Sequence, residues 1–339
     1  MVFGFSVDHL SLSLSPTQVN LSVRSIMNFP TCSLWIFVAR TDVAFMMHTI
    51  PHILRMSHFP FEERVLAIDT APLSGDKLLR PGIGTMEELR TLTQKLLEAK
   101  VIDRVVDFNY DPSYRQRIFN KHFGSPLRAT HNYKGYPILG SIFKIEECKS
   151  DYMVHFDSDM MMYQQPDFSW IKEGIELMDK HSKIMFVRPL AGPPTADGTI
   201  FQKASYQLHP DGFYQFKFFG SRLYLINRKR FEQLLPLPII WRSYRQSFLN
   251  RFPLFIKNYL NIYAGKGKLE SWEIMVSKKL EQTDYIRATL TNPKAWTLHP
   301  IDRSPAFIKA LPHIIEKIEA GEFPSEQAGH YDLIPQLWY

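Results

Sequence analysis

The sequence predicts an α/β fold built on a doubly wound, mostly parallel sheet. Two observations carry this expectation. Between about residues 34 and 160, short apolar runs of strand length alternate with longer stretches of helical spacing. Parallel strands need crossover connections, and these are usually helices. The apolar runs also end on polar or acidic residues, at Arg40 to Asp42, at Asp69 and at Asp157 to Asp159. In open sheets of this kind ligands bind beyond the carboxyl ends of the strands.

Taken in order, residues 1–33 alternate weakly, with Leu10, Leu12, Leu14 and then Val19, Leu21, Val23, as a hairpin or edge extension would. The run Leu34 to Ala39 reads as a buried first strand. "VAFMMHTIPHILRMSHFP" has helical spacing, with Pro51 as a kink and Pro60 as a stop. "ERVLAIDTAP" is a second strand ending on Asp69, and "MEELRTLTQKLLEAK" is a helix with acids in its first turn and Lys100 at its end. "IDRVVDF" is a third strand. Ile138, Ile142 and Ile145 share one helix face, and "DYMVHFDSD" follows as a fourth strand. Past residue 165 the order loosens, through "KIMFVRPLAGPPTADG", "SRLYLINRKRFEQLLP", "SWEIMVSKKLEQ" and "DYIRATL". The expected organisation is an extension over 1–33 and a ligand-binding half over 34–165. A second half of the same domain spans 166–300, and a C-terminal helix and tail spans 301–339.

Composition bounds the function. At 45% hydrophobic and 22% charged, the 339 residues can bury a sizeable core. No segment reaches the roughly 18 uninterrupted apolar residues of a membrane span. The start, "MVFGFSVDHL", has no basic leader. Cys32 and Cys148 are too few for a disulfide framework and lack metal-ligand spacing. A cytoplasmic protein is the expectation, with membrane association as a second reading. The net charge of +6 favours anionic partners in general.

Asp157-Ser158-Asp159 carries the chemistry. Two carboxylates would repel a nucleotide diphosphate unless a divalent cation lay between them. Mg²⁺ or Mn²⁺ accepts a few carboxylates and completes its shell with phosphate oxygens. The plain alternative is a solvated strand end. Met160 to Met162 line or underlie the pocket as adaptable apolar packing.

This arrangement resembles the GT-A-type glycosyltransferases, most closely the family 2 class, over roughly residues 34–300. "WIFVARTD" stands at the first strand and nucleotide-contacting turn of that class, and "RVLAIDTAP" at its second strand, whose terminal acid contacts the base. "HNYKGYPILGSIFKIEECKSDYMVHFDSD" is similar to its helix, strand and metal-binding D-x-D. "LESWEIMVSKKL" resembles its acceptor-side "E-D-x-x-x-x-x-R-L" helix, with Glu270-Ser271 in place of the acid pair and no arginine.

The resemblance implies a GT-A-like fold with an acceptor-side second half. It also implies a metal-assisted transfer from a nucleotide-diphosphate sugar to an acceptor hydroxyl, with inversion expected. The donor would be a UDP-sugar first, and the acceptor a glycan or a lipid-linked molecule; nucleic acid is not an expected partner. Asp157 and Asp159 would hold the Mn²⁺ or Mg²⁺, with His299 as a third ligand. Asp42 and Asp69 would contact base or ribose, Ser158 would lie beside the donor, and Arg128 and Lys134 would reach the diphosphate. The base would be Glu270, with Glu273 as the alternative; both also suit a helix amino terminus on electrostatic grounds alone.

Three rivals weigh against this reading. A sugar-nucleotide nucleotidyltransferase should carry a glycine-rich loop after the first strand, where "ARTDVAFMM" has no glycine. A haloacid-dehalogenase-like phosphatase should read D-x-D-x-T, where Met161 stands instead. A non-catalytic scaffold of the same fold is kept open by the incomplete acid pair.

One segment stands apart. From Trp241 to Lys268, Trp241, Tyr244, Phe248, Phe252, Phe255, Tyr259 and Tyr263 step by three or four, interleaved with basic residues and with no acid. Either this is a helix that packs its aromatics into the core, broken at Pro253, or it is a surface for peripheral membrane contact.

Overall fold

The computed structural model describes residues 30–242, 247–264 and 268–338. Residues 1–29, with most of the expected hairpin, lie outside the described residues. The first half runs β1 (Cys32–Val38), α1 (Met46–Ser57), β2 (Arg64–Ile68), α2 (Met86–Glu98), β3 (Arg104–Asp107), α3 (Pro112–Phe123), α4 (Ile138–Glu147) and β4 (Tyr152–Asp157). The second half adds β5 (Met161–Gln164), α5 (Trp170–Lys180), β6 (Ile184–Arg188), β7 (Leu190–Ala191), β8 (Gln207–Leu208), β9 (Phe213–Phe216), β10 (Leu223–Asn227) and α6 (Arg228–Glu232). After these come α7 (Leu254–Ala264), α8 (Trp272–Glu281), β11 (Ile286–Leu290), β12 (Ala295–Leu298) and α9 (Pro305–Glu319).

Local signals explain most boundaries. Thr85 and Glu88 cap α2 reciprocally, each side chain bonding the other's backbone N–H at 3.0 and 2.6 Å. Pro51 is carried inside α1; the helix stops at Ser57, where His58 takes a left-handed backbone (φ 40°) before Pro60 is reached. Helix α3 is absent from the hydropathy reading because its sequence is polar. Its start signal is nonetheless present: Asp111 accepts from the N–H of Ser113 and Tyr114, and Pro112 opens the first turn.

The nine-stranded sheet has the order β3-β2-β1-β4-β10-β6-β11-β9-β8. Strands β3, β2, β1 and β4 pair in parallel, as do β6 and β11, while β10 runs antiparallel between β4 and β6. Every strand but β9 and β10 therefore points the same way. A smaller sheet, β5-β12-β7, packs beside it.

Side chains alternate across each strand, so β1 serves two cores. Leu34, Ile36 and Val38 join one with Met46, Ile50 and Ile53 of α1. Trp35 joins the other with Ile138, Leu139 and Ile142 of α4. A third core lies between the small sheet and α9. Met160, Met161 and Met162 are fully buried, so they underlie the site as packing.

Glu146 ties α4 to α3. His122 Nε2 and Lys121 Nζ each lie 2.8 Å from its Oε1. Burial works to raise this carboxyl's pKa, but the His122 hydrogen bond and then Lys121 hold it at about 2, against an ordinary 4.5. A folded-state pKa below the unfolded one stabilises above the unfolded value and is lost as pH falls through the folded one. Glu146→Gln should therefore cost about 1–3 kcal/mol near neutral pH. In denaturant titrations the gap from wild type should close between pH 4.5 and about 2. A gap that persists at the acid end would assign the cost to packing.

Candidate active site

The carboxyl ends of β1, β2 and β4 open on a cavity of about 800 Å³. Asp42, Asp69, Asp157, Ser158, Asp159 and His299 all line it. The sequence thus places six of its candidates at one site, from segments as far apart as β1 and the end of β12.

Asp157 is the last residue of β4, and Ser158 and Asp159 form the turn into β5. Asp157 Oδ1 is 3.1 Å from Nε2 of His155, a buried residue of the same strand. Burial pushes the Asp157 carboxyl up, but His155, then Arg222 and Lys144, bring it net below its ordinary pKa. Its side chain is 40% exposed and faces the cavity. Asp159 is nearly buried. Its Oδ2 accepts from Arg303 Nη2, and its Oδ1 has no hydrogen-bond partner.

His299, one residue past β12, lies with Nε2 3.8 Å from Asp159 Oδ2 and Nδ1 3.1 Å from Asp332 Oδ1. A carboxylate only accepts, so Nδ1 donates to Asp332, and Nε2 is the ring nitrogen turned toward Asp159. A carboxylate behind an imidazole is the usual support of a metal-ligating histidine. An orphaned carboxylate oxygen, a half-exposed carboxylate and an oriented imidazole nitrogen together suit a divalent cation. A buried carboxylate oxygen left without a hydrogen bond is otherwise costly.

The far end of the cavity is built by the ends of β1 and β2. Asp42 Oδ2 accepts from the Ala39 N–H at 2.8 Å, and its Oδ1 from Thr41 Oγ1 at 3.0 Å. Burial raises its pKa, opposed by Arg303 and Lys77. Asp69 accepts from Tyr110 Oη (2.7 Å) and the Ala71 N–H (3.1 Å) on Oδ1, and its Oδ2 lies 3.1 Å from His131 Nε2 and 3.5 Å from Lys77 Nζ. Burial opposes these contacts, yet His131 first, then Lys77, leave its pKa at about 2. Asp69 thus makes four contacts, of which Lys77 is the longest.

The cavity also holds groups that the sequence did not single out: Lys77, Arg80, Tyr136, Arg222, Arg303 and Asp332. Lys77 and Arg80 follow Gly75, whose left-handed backbone (φ 57°) meets that of Gly135 (φ 84°). A Cβ at Gly135 would stand 1.9 Å from Ser74 O, so only glycine admits this contact. "SGDKLLRPG" beside "YKGY" was the available signal.

The remaining candidates lie outside the cavity lining. Arg128 is exposed, and Lys134 Nζ is 3.8 Å from Asp76. Glu270 precedes α8, with Oε1 3.2 Å from Arg242 Nε. Glu273, in the first turn of α8, accepts on Oε2 from the Ser221 N–H (2.9 Å) and Oγ (3.1 Å). Ser221 leads directly into Arg222, which lines the cavity.

Among the described residues, a second group of metal-type side chains, His181, His209 and Asp211, sits toward the amino end of β6. Asp211 is 3.0 Å from His181 Nε2, and its backbone N–H donates to His209 Nδ1. No helix of the described residues is long and apolar enough to cross a membrane.

No protein-family model and no curated protein matches the chain. Solved structures similar to it include a mannosyltransferase from Pyrobaculum calidifontis in complex with GDP-Man and Mn²⁺, at 9% identity and a TM-score of 0.34, covering 62% of this chain and 48% of that one. Another is glucosyl-3-phosphoglycerate synthase from Mycobacterium tuberculosis with Mn²⁺, UDP and glucosyl-3-phosphoglycerate, at 11% identity and a TM-score of 0.32, covering 92% and 85%. A third is S. aureus TarS 1–349 with UDP-GlcNAc, at 11% identity and a TM-score of 0.37, covering 78% and 58%. This chain thus spans about half the length of the mannosyltransferase chain. The roles of residues rest on the geometry.

Proposed function

We propose that the protein transfers a sugar from a nucleotide-diphosphate sugar to an acceptor hydroxyl, with Asp157, Asp159 and His299 holding a divalent cation. The observation that carries this is the orphaned Asp159 Oδ1 beside Asp157 and the Asp332-oriented His299, at the mouth of a cavity of about 800 Å³. That volume suits a small-molecule ligand.

The chain's own groups divide the work. Lys77, Arg80 and Arg222 bring positive charge to the cavity for the diphosphate. Asp42 and the loop of Tyr136 bound the end where base and ribose would lie. A carboxylate and imidazole set accommodates Mn²⁺ better than Mg²⁺, which prefers oxygen alone. When bound, the cation would neutralise charge gathering on the leaving diphosphate. A donor with a UDP head and an inverting transfer are the proposed specifics, with Glu273 as the base.

A second reading follows from Arg303. Its guanidinium already neutralises Asp159, and could serve as a permanent counter-ion in a binding protein without catalysis. A thermal-shift screen separates the two. Nucleotide sugars should raise the melting temperature with Mn²⁺ and lose that effect in chelator, because a ligand of the native state stabilises it in proportion to the logarithm of its saturation. Metal-dependent hydrolysis of the donor should accompany the shift. Stabilisation that ignores chelator, with no hydrolysis, would select the second reading.

A further inference from the structure

The segment between Trp241 and Leu269 is an excursion closed at its neck. Trp241 and Leu269 form an antiparallel bridge, the Arg242 N–H bonds Lys268 O at 2.9 Å, and the Glu270 N–H bonds Ile240 O at 2.9 Å. Within it, a short turn (Ser247–Arg251) and α7 are separated at Pro253. The break at proline is as expected; of the aromatics, Trp241 packs against the second core, the side chains of Tyr244 and Tyr263 lie outside the described residues, and the other four are exposed rather than in a core. Phe248 is 60% exposed, Phe252 40%, Phe255 73% and Tyr259 63%, with Leu260 at 40%. Among the described residues, none of the three buried cores draws a side chain from 242–268.

The charge of this excursion says what covers it. Residues 242–268 contain Arg242, Arg245, Arg251, Lys257, Lys266 and Lys268, and no Asp or Glu. Arg251 and Lys268 are exposed, whereas Arg242 is spent on Glu270. A second copy of the chain would bring this same one-signed surface against itself, which like-charge repulsion opposes. Exposed aromatics interleaved with basic residues, in a segment with no acid of its own, instead match the interface of an anionic bilayer. There rings insert at headgroup depth, and each cation gains from the negative surface.

We infer that the 242–268 excursion docks the protein on an anionic lipid membrane. Its neck sits beside the cavity rim, since the Tyr133 N–H bonds Leu269 O at 3.0 Å and Arg242 lies 4.7 Å over the Tyr133 ring. Tyr136, three residues on, lines the cavity. The docked surface therefore holds the cavity near the bilayer, within reach of a lipid-linked acceptor.

The test is sedimentation of the full chain with phosphatidylcholine vesicles and with phosphatidylcholine–phosphatidylglycerol vesicles. Binding should need the anionic lipid and weaken in high salt. It should fall about tenfold or more when Phe255 and Tyr259 are changed together to Ser, and likewise when Arg251 and Lys257 are changed to Gln. Circular dichroism and the melting temperature of each variant check that the fold is kept before binding is read. Protein that stays in the supernatant with both vesicles at low salt overturns the inference. So does binding that ignores lipid charge or survives both variants. A concentration-dependent dimer that Phe255→Ser dissolves would assign the face to self-association and overturn it as well. None of these outcomes depends on donor binding, which is read separately by thermal shift.

Discussion

Replacing Asp159 with asparagine should abolish Mn²⁺-dependent binding of the nucleotide sugar and lower turnover by about 10³-fold or more. Asparagine keeps the shape of the side chain and removes its charge. Alanine is the poorer choice. Arg303 is 13% exposed and bonded to Asp159, and stripping the bonded carboxylate from a buried cation costs about 3–5 kcal/mol. Even asparagine loosens this pair, so the native fold is checked by circular dichroism before affinity is read. The double variant Asp159→Asn with Arg303→Met removes both charges and restores neutrality at the site. If Asp159 acts through the cation, both variants lose the metal dependence seen by calorimetry. If Asp159 serves only to hold Arg303, the double variant binds donor as wild type does. The same affinity in chelator as in Mn²⁺, measured on the wild type, would refute the metal site itself.

This site was legible in the sequence where chemistry and chain position coincide. "HFDSD" shows an apolar run ending on carboxylates, and β4 does place Asp157 and Asp159 at a strand's carboxyl end. What supports them was not legible. Arg303 meets Asp159 across 144 residues, and Asp332 meets His299 across 33. Neither contact leaves a local pattern. The antiparallel β10 was also invisible, because hydropathy reports burial and not strand direction. The 242–268 segment shows the same limit from the other side. Spacing by three or four identifies a helix and a shared face, but not whether that face meets protein or solvent. The membrane proposal builds instead on a second signal, that the segment holds basic residues and no acid of its own.

Glu273→Gln should lower turnover by about 10²–10⁴ while leaving donor affinity unchanged, and Glu270→Gln should do neither. The proposal of Glu273 over Glu270 rests on how the two acids are held. Glu270 is engaged through Oε1 by Arg242, at the neck of the excursion. Glu273 is oriented by two bonds from Ser221, both on Oε2, beside the residue that carries Arg222 into the cavity. Among the described residues no hydrogen bond engages its Oε1. A general base needs such an oxygen, held still, on the side from which the acceptor arrives. Glutamine can accept the same two bonds from Ser221, so the loop should stay in place. A structural role and a basic one then give different readouts. Loss of basicity removes the acid limb of the kcat/KM profile and leaves the melting temperature alone. Loss of structure lowers the melting temperature and donor affinity together, with the pH profile intact. If Glu270→Gln rather than Glu273→Gln flattens the acid limb, the assignment moves to Glu270. If neither does, the base is a third group, and the aspartates lining the cavity are the place to look.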